Sequence, residues 1–392
     1  MEFSRVVEPP DLDALRAREF PFSVETTYLN AAAVGPLSES ARRATEAYVA
    51  ARARVHTLGA EHFDGVLRAC RQAAARLVGA APEEIALGGN TSYGLNLAAL
   101  GLPLRPGSTA VVSDREFPAN VYPWMRLQQQ GVALEIVPTD ARGLPDEARL
   151  LERLTRGDVS LFALSAVQFA TGYLADVRRF GEICREYGVF FVVDAIQALG
   201  QLPLDVKALQ IDVLACGGHK WLCGPFGTGF AYVRDELIER LEPHAVGWSS
   251  MRASQDFGAL LDYRYDFVDD ARRFEVATLP LQDFAALAAS LELLLGVGVE
   301  RIRAHVAALL EPLVAWLAER PAVEIVSDLR PEHRSGIFCF RPRDAQAAFA
   351  ALRRADVHAV LREGAIRLSP HLYNTPADLE RVLGVLAELE PA

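Results

Sequence analysis

The sequence contains little cysteine and no long apolar run. Its 392 residues include five cysteines, an odd number with no Cys-x-x-Cys pair, which indicates reduced thiols rather than a disulfide-stapled protein. No apolar stretch reaches the roughly 18–20 residues of a membrane span without a charge or a turn residue. The charged N-terminal segment lacks the apolar core of a signal peptide. We therefore expect a cytoplasmic protein with no membrane partner.

Basic residues are scarce relative to acidic ones. The chain carries 40 lysines and arginines against 51 aspartates and glutamates, a net charge of −11, and lysine is only a small minority of the basic residues. This balance argues against nucleic acid and anionic lipid as partners, since both are bound by basic surfaces. With 51% hydrophobic residues, the chain can bury a core large enough to fold without disulfides or a metal.

Seven short apolar segments alternate with helical patterns through the middle of the chain. Strands that are apolar on both faces and are separated by helices indicate a mainly parallel sheet covered on both sides. We therefore predict an α/β fold in which residues 23–280 form a large domain. A long helical pattern then leads into short strands and helices, so residues 281–392, together with residues 1–22, are predicted to form a smaller α+β domain.

Polar residues follow several of the predicted strands, and ligands of an open α/β sheet bind beyond the carboxyl ends of its strands. Thr91 and Ser92 follow Gly88 and Gly89 at a helix start. That place suits a phosphate, but the segment taken alone favours an ordinary helix N-cap. Asp194 ends an entirely apolar strand, where a carboxylate either caps the next turn or holds a buried cation.

Lys220 follows another predicted buried strand, a glycine turn and His219. Partial burial lowers the pKa of a lysine and makes its amine a nucleophile; the alternative is a surface lysine after a strand. A Schiff-base lysine, a carboxylate for a pyridinium nitrogen and a helix N-terminus for a phosphate are three requirements of pyridoxal 5′-phosphate (PLP). Together these features predict a PLP site, and we expect no metal.

The segment VVDAIQALGQLPLDVKALQIDVLACGGHKWLCGPFGTGF, which contains Lys220, resembles the PLP-lysine segment of the class V aminotransferases. That family includes cysteine desulfurases, isopenicillin N epimerase-like proteins and kynureninases. The resemblance covers about residues 25–385 and implies a PLP-dependent transferase fold of type I. Six further segments resemble motifs of the family, in the family's order: TTYLNAAAVGPLS, GGNTSYGLNL, DREFPANVYPW, SAVQFATGYLAD, RRFEVATLP and IRLSPHLYNT.

The resemblance implies a role for each matched residue near the cofactor. Lys220 forms the Schiff base and afterwards moves the α-proton of the substrate, and Asp194 pairs with the pyridine nitrogen. The remaining cofactor contacts implied are Gln197 near the phenolic oxygen, Phe117 on the ring face, Thr91, Ser92 and His219 at the phosphate, and Thr278 from the partner subunit of a homodimer.

On the substrate side, the resemblance assigns the substrate carboxylate to Arg367, because a guanidinium suits bidentate binding of a carboxylate. The other residues on this side are Asn30, Gln168 and Trp248. Arg362, five residues before Arg367, is interpreted as structural or as a second anion contact.

Several of these residues have a structural alternative that the sequence leaves open. The alternatives are backbone hydrogen bonding at turns for Asn30 and Gln168, a buried structural position for His219, a core position for Phe117 and a dimer interface for Trp248.

One departure from the cysteine desulfurases concerns the region before Arg367. Those enzymes carry a mobile loop with a nucleophilic cysteine shortly before the carboxylate-binding arginine, whereas DVHAVLREGAIRLSPH runs through this region without a cysteine. Cys339, in a strand-like segment, and Cys223, three residues after Lys220, are interpreted as packing residues. Desulfuration through a protein persulfide is therefore disfavoured.

We expect a PLP-dependent enzyme that acts on the α-amino group of a small amino acid, as an aminotransferase or an isopenicillin N epimerase-like enzyme. A C–S (β-elimination) lyase, or a cysteine desulfurase-like enzyme without the usual loop, is the alternative, because elimination also requires only Lys220 as acid and base. A non-catalytic PLP-fold binding protein and a nucleotide-binding α/β protein are the remaining alternatives. The phosphate loops GxxxxGK[ST] and GxGxxG of nucleotide-binding proteins are absent.

Overall fold

A computed structural model describes residues 11–389 of the chain. The strands of this part, in chain order, are β1 (Thr27–Tyr28), β2 (Ile85–Gly88), β3 (Thr109–Ser113), β4 (Ala133–Val137), β5 (Val159–Ser165), β6 (Phe190–Asp194), β7 (Val213–Gly217), β8 (Gly229–Val233), β9 (Glu324–Ile325), β10 (Phe338–Arg341), β11 (Val357–His358), β12 (Val360–Arg362) and β13 (Ala365–Leu368).

The helices of the same residues connect these strands and cover the sheets. In chain order they are α1 (Leu12–Glu19), α2 (Glu39–Arg52), α3 (Asp64–Val78), α4 (Thr91–Gly101), α5 (Tyr122–Arg126), α6 (Glu147–Leu154), α7 (Val177–Tyr187), α8 (Asp235–Ile238), α9 (Leu281–Val297), α10 (Val299–Ala318), α11 (Ala345–Arg354) and α12 (Pro376–Leu389).

The central sheet has seven strands in the order β2-β8-β7-β6-β5-β3-β4. The strands from β7 through β6, β5 and β3 to β4 pair in parallel, and β8 runs antiparallel to both of its neighbours. Every residue of β3, β5 and β7 is buried, because helices cover both faces of the sheet. The mainly parallel α/β sheet predicted from the apolar segments is confirmed.

Local sequence signals place the ends of the covering helices. Helix α7 begins after Asp176, whose side chain accepts a hydrogen bond from the backbone N–H of Arg179. It ends at Gly188, which adopts φ 66°, a left-handed conformation that costs glycine little. The long helical pattern beyond residue 280 is divided into α9 and α10 at Gly298, which adopts φ 88°.

A smaller, antiparallel sheet lies in the C-terminal part of the chain, in the order β12-β13-β10-β9. Near the N-terminus, β1 pairs in parallel with β11, so a strand inside the predicted range 23–280 is attached to the C-terminal region. The domain limits themselves stay a prediction, and residues 1–10 of the predicted small domain, with 390–392, lie outside the described residues. Among the helices of residues 11–389, none is long and apolar enough to cross a membrane.

Candidate active site

Lys220 lies in a tight loop directly after β7. Its carbonyl accepts from the N–H of Cys223 at 2.9 Å, and the carbonyl of the preceding His219 accepts from the N–H of Gly35 at 2.9 Å. A Cβ added to Gly35 would lie 1.9 Å from the Lys220 carbonyl oxygen, so only glycine allows this approach. Burial lowers the pKa of Lys220 to about 8. The amine is therefore far more often neutral near pH 8 than an ordinary lysine.

Asp194 ends β6, beside the strand that leads to Lys220. It is buried and pairs in register with Ser165 of β5 and Ala215 of β7. Its Oδ1 accepts from the backbone N–H of Ile196 at 3.0 Å. Burial raises the pKa of Asp194 to about 6, and the nearby Lys220 acts against this rise. The carboxylate is thus poised to bind a cation beyond the edge of the sheet.

The predicted phosphate turn is attached to the same loop. Asn90 is the N-cap of α4, because its side chain accepts from the N–H of Tyr93 at 2.9 Å. Thr91 is buried, and its Oγ1 accepts from the N–H of Gly217 at 3.0 Å. Ser92 is exposed. The cap is therefore supplied by Asn90, which leaves the hydroxyls of Thr91 and Ser92 able to donate to a phosphate at this helix start.

His219 and Phe117 border Lys220 from two sides. Burial lowers the pKa of His219, which favours the neutral imidazole at pH 7, and its ring stacks on Phe226 with 5.2 Å between centroids. The Nζ of Lys220 lies 5.6 Å from the centroid of the Phe117 ring. Phe117 is 41% exposed, so it is a wall of the site and not a core residue.

Glu116 fixes the loop that carries Phe117, and the sequence analysis missed it. Its buried carboxylate accepts from the backbone N–H of Ser165 at 2.8 Å and from Nδ2 of Asn120 at 3.1 Å. Burial raises the pKa of Glu116 to about 7. A buried acid next to an exposed aromatic residue has no distinctive sequence pattern, because its partner Ser165 is 49 residues away.

Both predicted glutamines are engaged by neighbouring protein groups. Gln197 donates to the carbonyl of Ala32 at 3.0 Å and accepts from Nε1 of Trp221 at 2.8 Å. Gln168 donates to the carbonyl of Arg115 and accepts from the backbone N–H groups of residues 170 and 171 at 2.7 and 2.9 Å. Gln168 therefore holds a turn, as the structural alternative suggested, and a direct cofactor or substrate contact of either glutamine stays a prediction.

Arg367 is a buried cation without an acidic partner among the described residues. It is 1% exposed and lies in β13 opposite Cys339 of β10. One guanidinium nitrogen donates to the carbonyl of Phe169 at 2.8 Å, while Nε and Nη2 are buried and have no partner. Unpaired buried donors are costly, so this geometry points to a carboxylate that Arg367 binds in a fork.

The segment from Asn30 to Gly35 lies between Arg367 and Lys220. Asn30 forms a bridge with Ser369, two residues after Arg367, and Gly35 contacts the Lys220 loop. The Oδ1 of Asn30 is buried and has no hydrogen-bond partner. An unsatisfied oxygen at this place is able to accept a hydrogen bond from a ligand.

Trp248 and Thr278 form no hydrogen bond or ring contact with the other predicted site residues within residues 11–389. Trp248 packs edge to face on Phe257 with 5.9 Å between centroids and lines a groove of about 610 Å³ with Tyr263 and Tyr265. Thr278 is exposed. In the part of the chain that the structure describes, neither makes a hydrogen bond or ring contact with Lys220.

The residues present fit PLP. Gly217, between Thr91 and His219, has no side chain, and a Cβ there would lie 3.3 Å from both Thr91 Oγ1 and His219 Nδ1. A side chain at this position would crowd the polar atoms beside the helix start. Lys220, whose lowered pKa favours the neutral amine, and the buried Asp194 supply an amine and a carboxylate. The helix start supplies hydrogen-bond donors for a phosphate. Within residues 11–389, no group of three or more potential metal ligands comes together.

Comparisons with known proteins agree with this geometry. The model of the family "Aminotransferase class-V" matches residues 27–382. The chain is 30% identical over 95% of its length, and 96% of the relative's, to a probable cysteine desulfurase of Methanothermobacter thermautotrophicus. It is 28% identical to isopenicillin N epimerase of Streptomyces clavuligerus, over 92% and 94% of the two chains.

Solved structures contain the same fold. A mutant of the protein C-DES, with glycine covalently linked to its PLP cofactor, matches with a TM-score of 0.86 at 23% identity, over 97% of this chain and 99% of that one. The predicted type I fold and the resemblance of the sequence segments are confirmed, and so are the assignment as an enzyme and PLP as its cofactor.

Proposed function

Because the chain belongs to the class V aminotransferase family, we propose that it exchanges the α-proton of a small amino acid, as an aminotransferase or an isopenicillin N epimerase-like enzyme. The observation that carries this proposal is the unpartnered, fully buried guanidinium of Arg367, whose charge adds to the effect of burial in lowering the pKa of Lys220. The two residues offer a carboxylate site and a base, which an α-amino acid requires.

Bound PLP supplies an electron sink for the electrons of the broken Cα–H bond. Asp194 would hold the pyridine nitrogen protonated, and Thr91, Ser92 and His219 would hold the phosphate. Arg367 binds the carboxylate of the substrate and fixes the direction of its Cα–H bond. Lys220 Nζ takes the α-proton and returns it, since a pKa of about 8 lies close to neutral pH.

Desulfuration through a protein persulfide is disfavoured by the thiols. All five cysteines are free and buried, and burial raises the pKa of Cys223 and Cys339 to about 12. Since the thiolate is the nucleophile, neither is suited to accept sulfur from a substrate. The region before Arg367 is a two-residue hairpin turn at Glu363 and Gly364, with no room for a cysteine-bearing loop.

A β-elimination (C–S) lyase is the second candidate, and the same thiol burial favours it among the sulfur reactions. Such a lyase needs a leaving group on the substrate and Lys220 as base, and it needs no protein thiol. The relatives named as probable cysteine desulfurases make sulfur-containing amino acids a natural part of the substrate panel.

We also propose a homodimer in a cytoplasmic setting. Support comes from exposed aromatic side chains around the groove at Trp248, since large exposed apolar patches mark interaction surfaces, and from exposed Thr278, which would reach the phosphate of the partner's site. Analytical ultracentrifugation of the native protein is expected to give a mass of twice the 42.8 kDa chain mass. A 42.8 kDa species would contradict the shared site.

The deciding experiment follows the cofactor. The purified holoenzyme is mixed with a panel of amino acids, including L-alanine and L-cysteine, in deuterated water. Conversion of PLP to pyridoxamine phosphate identifies an aminotransferase, and formation of the D-amino acid with deuterium at Cα and PLP unchanged identifies an epimerase-like enzyme. Pyruvate with sulfide identifies a lyase. Absence of bound PLP, or of any spectral response, would contradict the proposal.

A further inference from the structure

We propose that the substrate carries a second acidic group, and that Arg362 binds it beside the α-carboxylate held by Arg367. This inference rests on the proposed function, because it presumes that an amino acid occupies the site. It adds the chemical class of the substrate: an amino acid whose side chain ends in a carboxylate or a similar oxyanion.

The hairpin of β12 and β13 places the two arginines together. Glu363 and Gly364 at its turn adopt φ 48° and 75°, as a two-residue type I′ turn requires. This turn sets the register, with Arg362 opposite Ala365 and Val360 opposite Arg367. Arg362 and Arg367 therefore project from the same face of the sheet as diagonal neighbours, which are about 7–8 Å apart in such ladders.

Arg362, like Arg367, has no acidic partner within residues 11–389. Its Nε is buried and makes no hydrogen bond. Other arginines of this region are paired: Arg341 with Glu324 and Arg330 with Asp328. Acidic side chains thus pair with other arginines of this C-terminal region, whereas Arg362 and Arg367 have none, as expected where ligand anions complete the pairing.

Two guanidinium groups in the site require two anions to neutralise their charge. The positive charge of Arg362 contributes to the lowered pKa of both Arg367 and Lys220, so the three cations lie within electrostatic reach of one another. An α-carboxylate neutralises one guanidinium. The other stays partly buried and unpaired unless the side chain of the substrate brings a second negative charge.

The test compares acids with their amides, which have nearly the same shape. L-aspartate and L-asparagine, and L-glutamate and L-glutamine, are titrated into the holoenzyme, and the apparent Kd is taken from the cofactor spectrum and the KM from turnover. A charge-assisted hydrogen bond at Arg362 predicts that the acid binds about 10- to 100-fold more tightly than its amide.

Variants assign the preference to one residue. Arg362→Gln is expected to bring the acid-to-amide ratio close to one, and Arg362→Lys to restore part of it by keeping the charge. Arg354→Gln, on the exposed side of α11, is the matched control and should keep the full preference. Calorimetry with succinate against succinamate gives a second readout that needs no turnover, and it is expected to follow the same order.

The outcomes separate the two proposals. If amides bind and react as well as acids, or if Arg362→Gln keeps the preference, the second anion site is wrong, while a spectral response to any amino acid still supports the proposed function. If no amino acid changes the cofactor spectrum and succinate does not bind, both proposals fail together.

Discussion

Two arginines buried in different regions of the molecule have opposite surroundings. Arg71, in α3 of the large-sheet region, donates to the carbonyl of Ile85 at 3.0 Å and to the carboxylate of Glu275 at 2.5 Å. That carboxylate also accepts from the N–H of Leu87 at 2.8 Å. Arg367, in the small sheet, has one carbonyl partner and two unpartnered buried nitrogens.

The difference distinguishes a cation that is paired within the fold from one that is proposed to bind a ligand. Burial alone is similar, at 8% exposure for Arg71 and 1% for Arg367. A buried charge that is fully paired joins elements of the fold, here α3, β2 and the segment before α9. A buried charge left unpaired weakens the fold by itself, and it is retained where a ligand completes the pairing.

The same contrast exists between the two lysines of the chain, and it gives the largest expected effect. Lys207 lies exposed in an ion pair with Glu84, whereas Lys220 is the base of the proposed site. Lys220→Ala is expected to lower turnover by at least about 10³-fold, because it removes the group that moves the proton. Turnover with the preferred amino acid is the measurement.

Lys207→Ala is the matched control and should keep activity. Borohydride reduction of the native holoenzyme followed by peptide mapping is expected to place the cofactor mass on Lys220. Lys207 is the only other lysine of the chain, and label on Lys207 would contradict the assignment.

The second largest effect is expected on the stability of the two arginine regions. Glu275→Ala leaves Arg71 buried without its carboxylate and should lower the free energy of unfolding by about 3–5 kcal/mol. Arg367→Met removes a cation that is already unpaired and should leave the free energy of unfolding unchanged or raise it, while substrate binding weakens. Urea unfolding at saturating PLP measures both variants, and equal losses of stability would remove the distinction between them.

The smallest expected effect is a pH dependence that sharpens the contrast between the lysines. Only a neutral amine adds to the aldehyde of PLP, and the pKa of Lys220 is lowered to about 8 by burial. The rate at which cofactor-free protein takes up PLP should rise about tenfold per pH unit up to pH 8 and then level off. A rate that continues to rise beyond pH 9 would indicate that Lys220 has the pKa of an exposed lysine.

Most of the large sheet was predictable because its strands are buried on both faces. Continuous apolar segments such as those of β5, β6 and β7 predict buried strands without reference to the rest of the chain. The glycine after α7 predicts the end of that helix. The short strands β11 and β12 were not predicted. They have two or three residues each, too few for a periodic pattern. β11 depends on its pairing with β1, which is distant in the chain, and β12 on its hairpin with β13.

The predicted site residues were chosen by their position after predicted strands and by resemblance to a family. Lys220 and Asp194 are brought to one edge of the sheet, as expected. Glu116 was missed. Backbone hydrogen bonding of Gln168 was one of two alternatives, and the sequence could neither decide between them nor give the partners of Gln197, since it records which amides are present and not which groups face them.

The sequence by itself determined the α/β class, the cofactor chemistry and the family, because apolar runs and the residues at strand ends are local features. The tertiary structure alone decided which buried charges are paired. Arg71 and Glu275 are 204 residues apart, and the unpaired state of Arg362 and Arg367 depends on a hairpin register and on carboxylates being absent from their surroundings in the described chain. Whether a charge is structural or awaits a ligand depends on the complete set of its neighbours, which only the folded chain brings together.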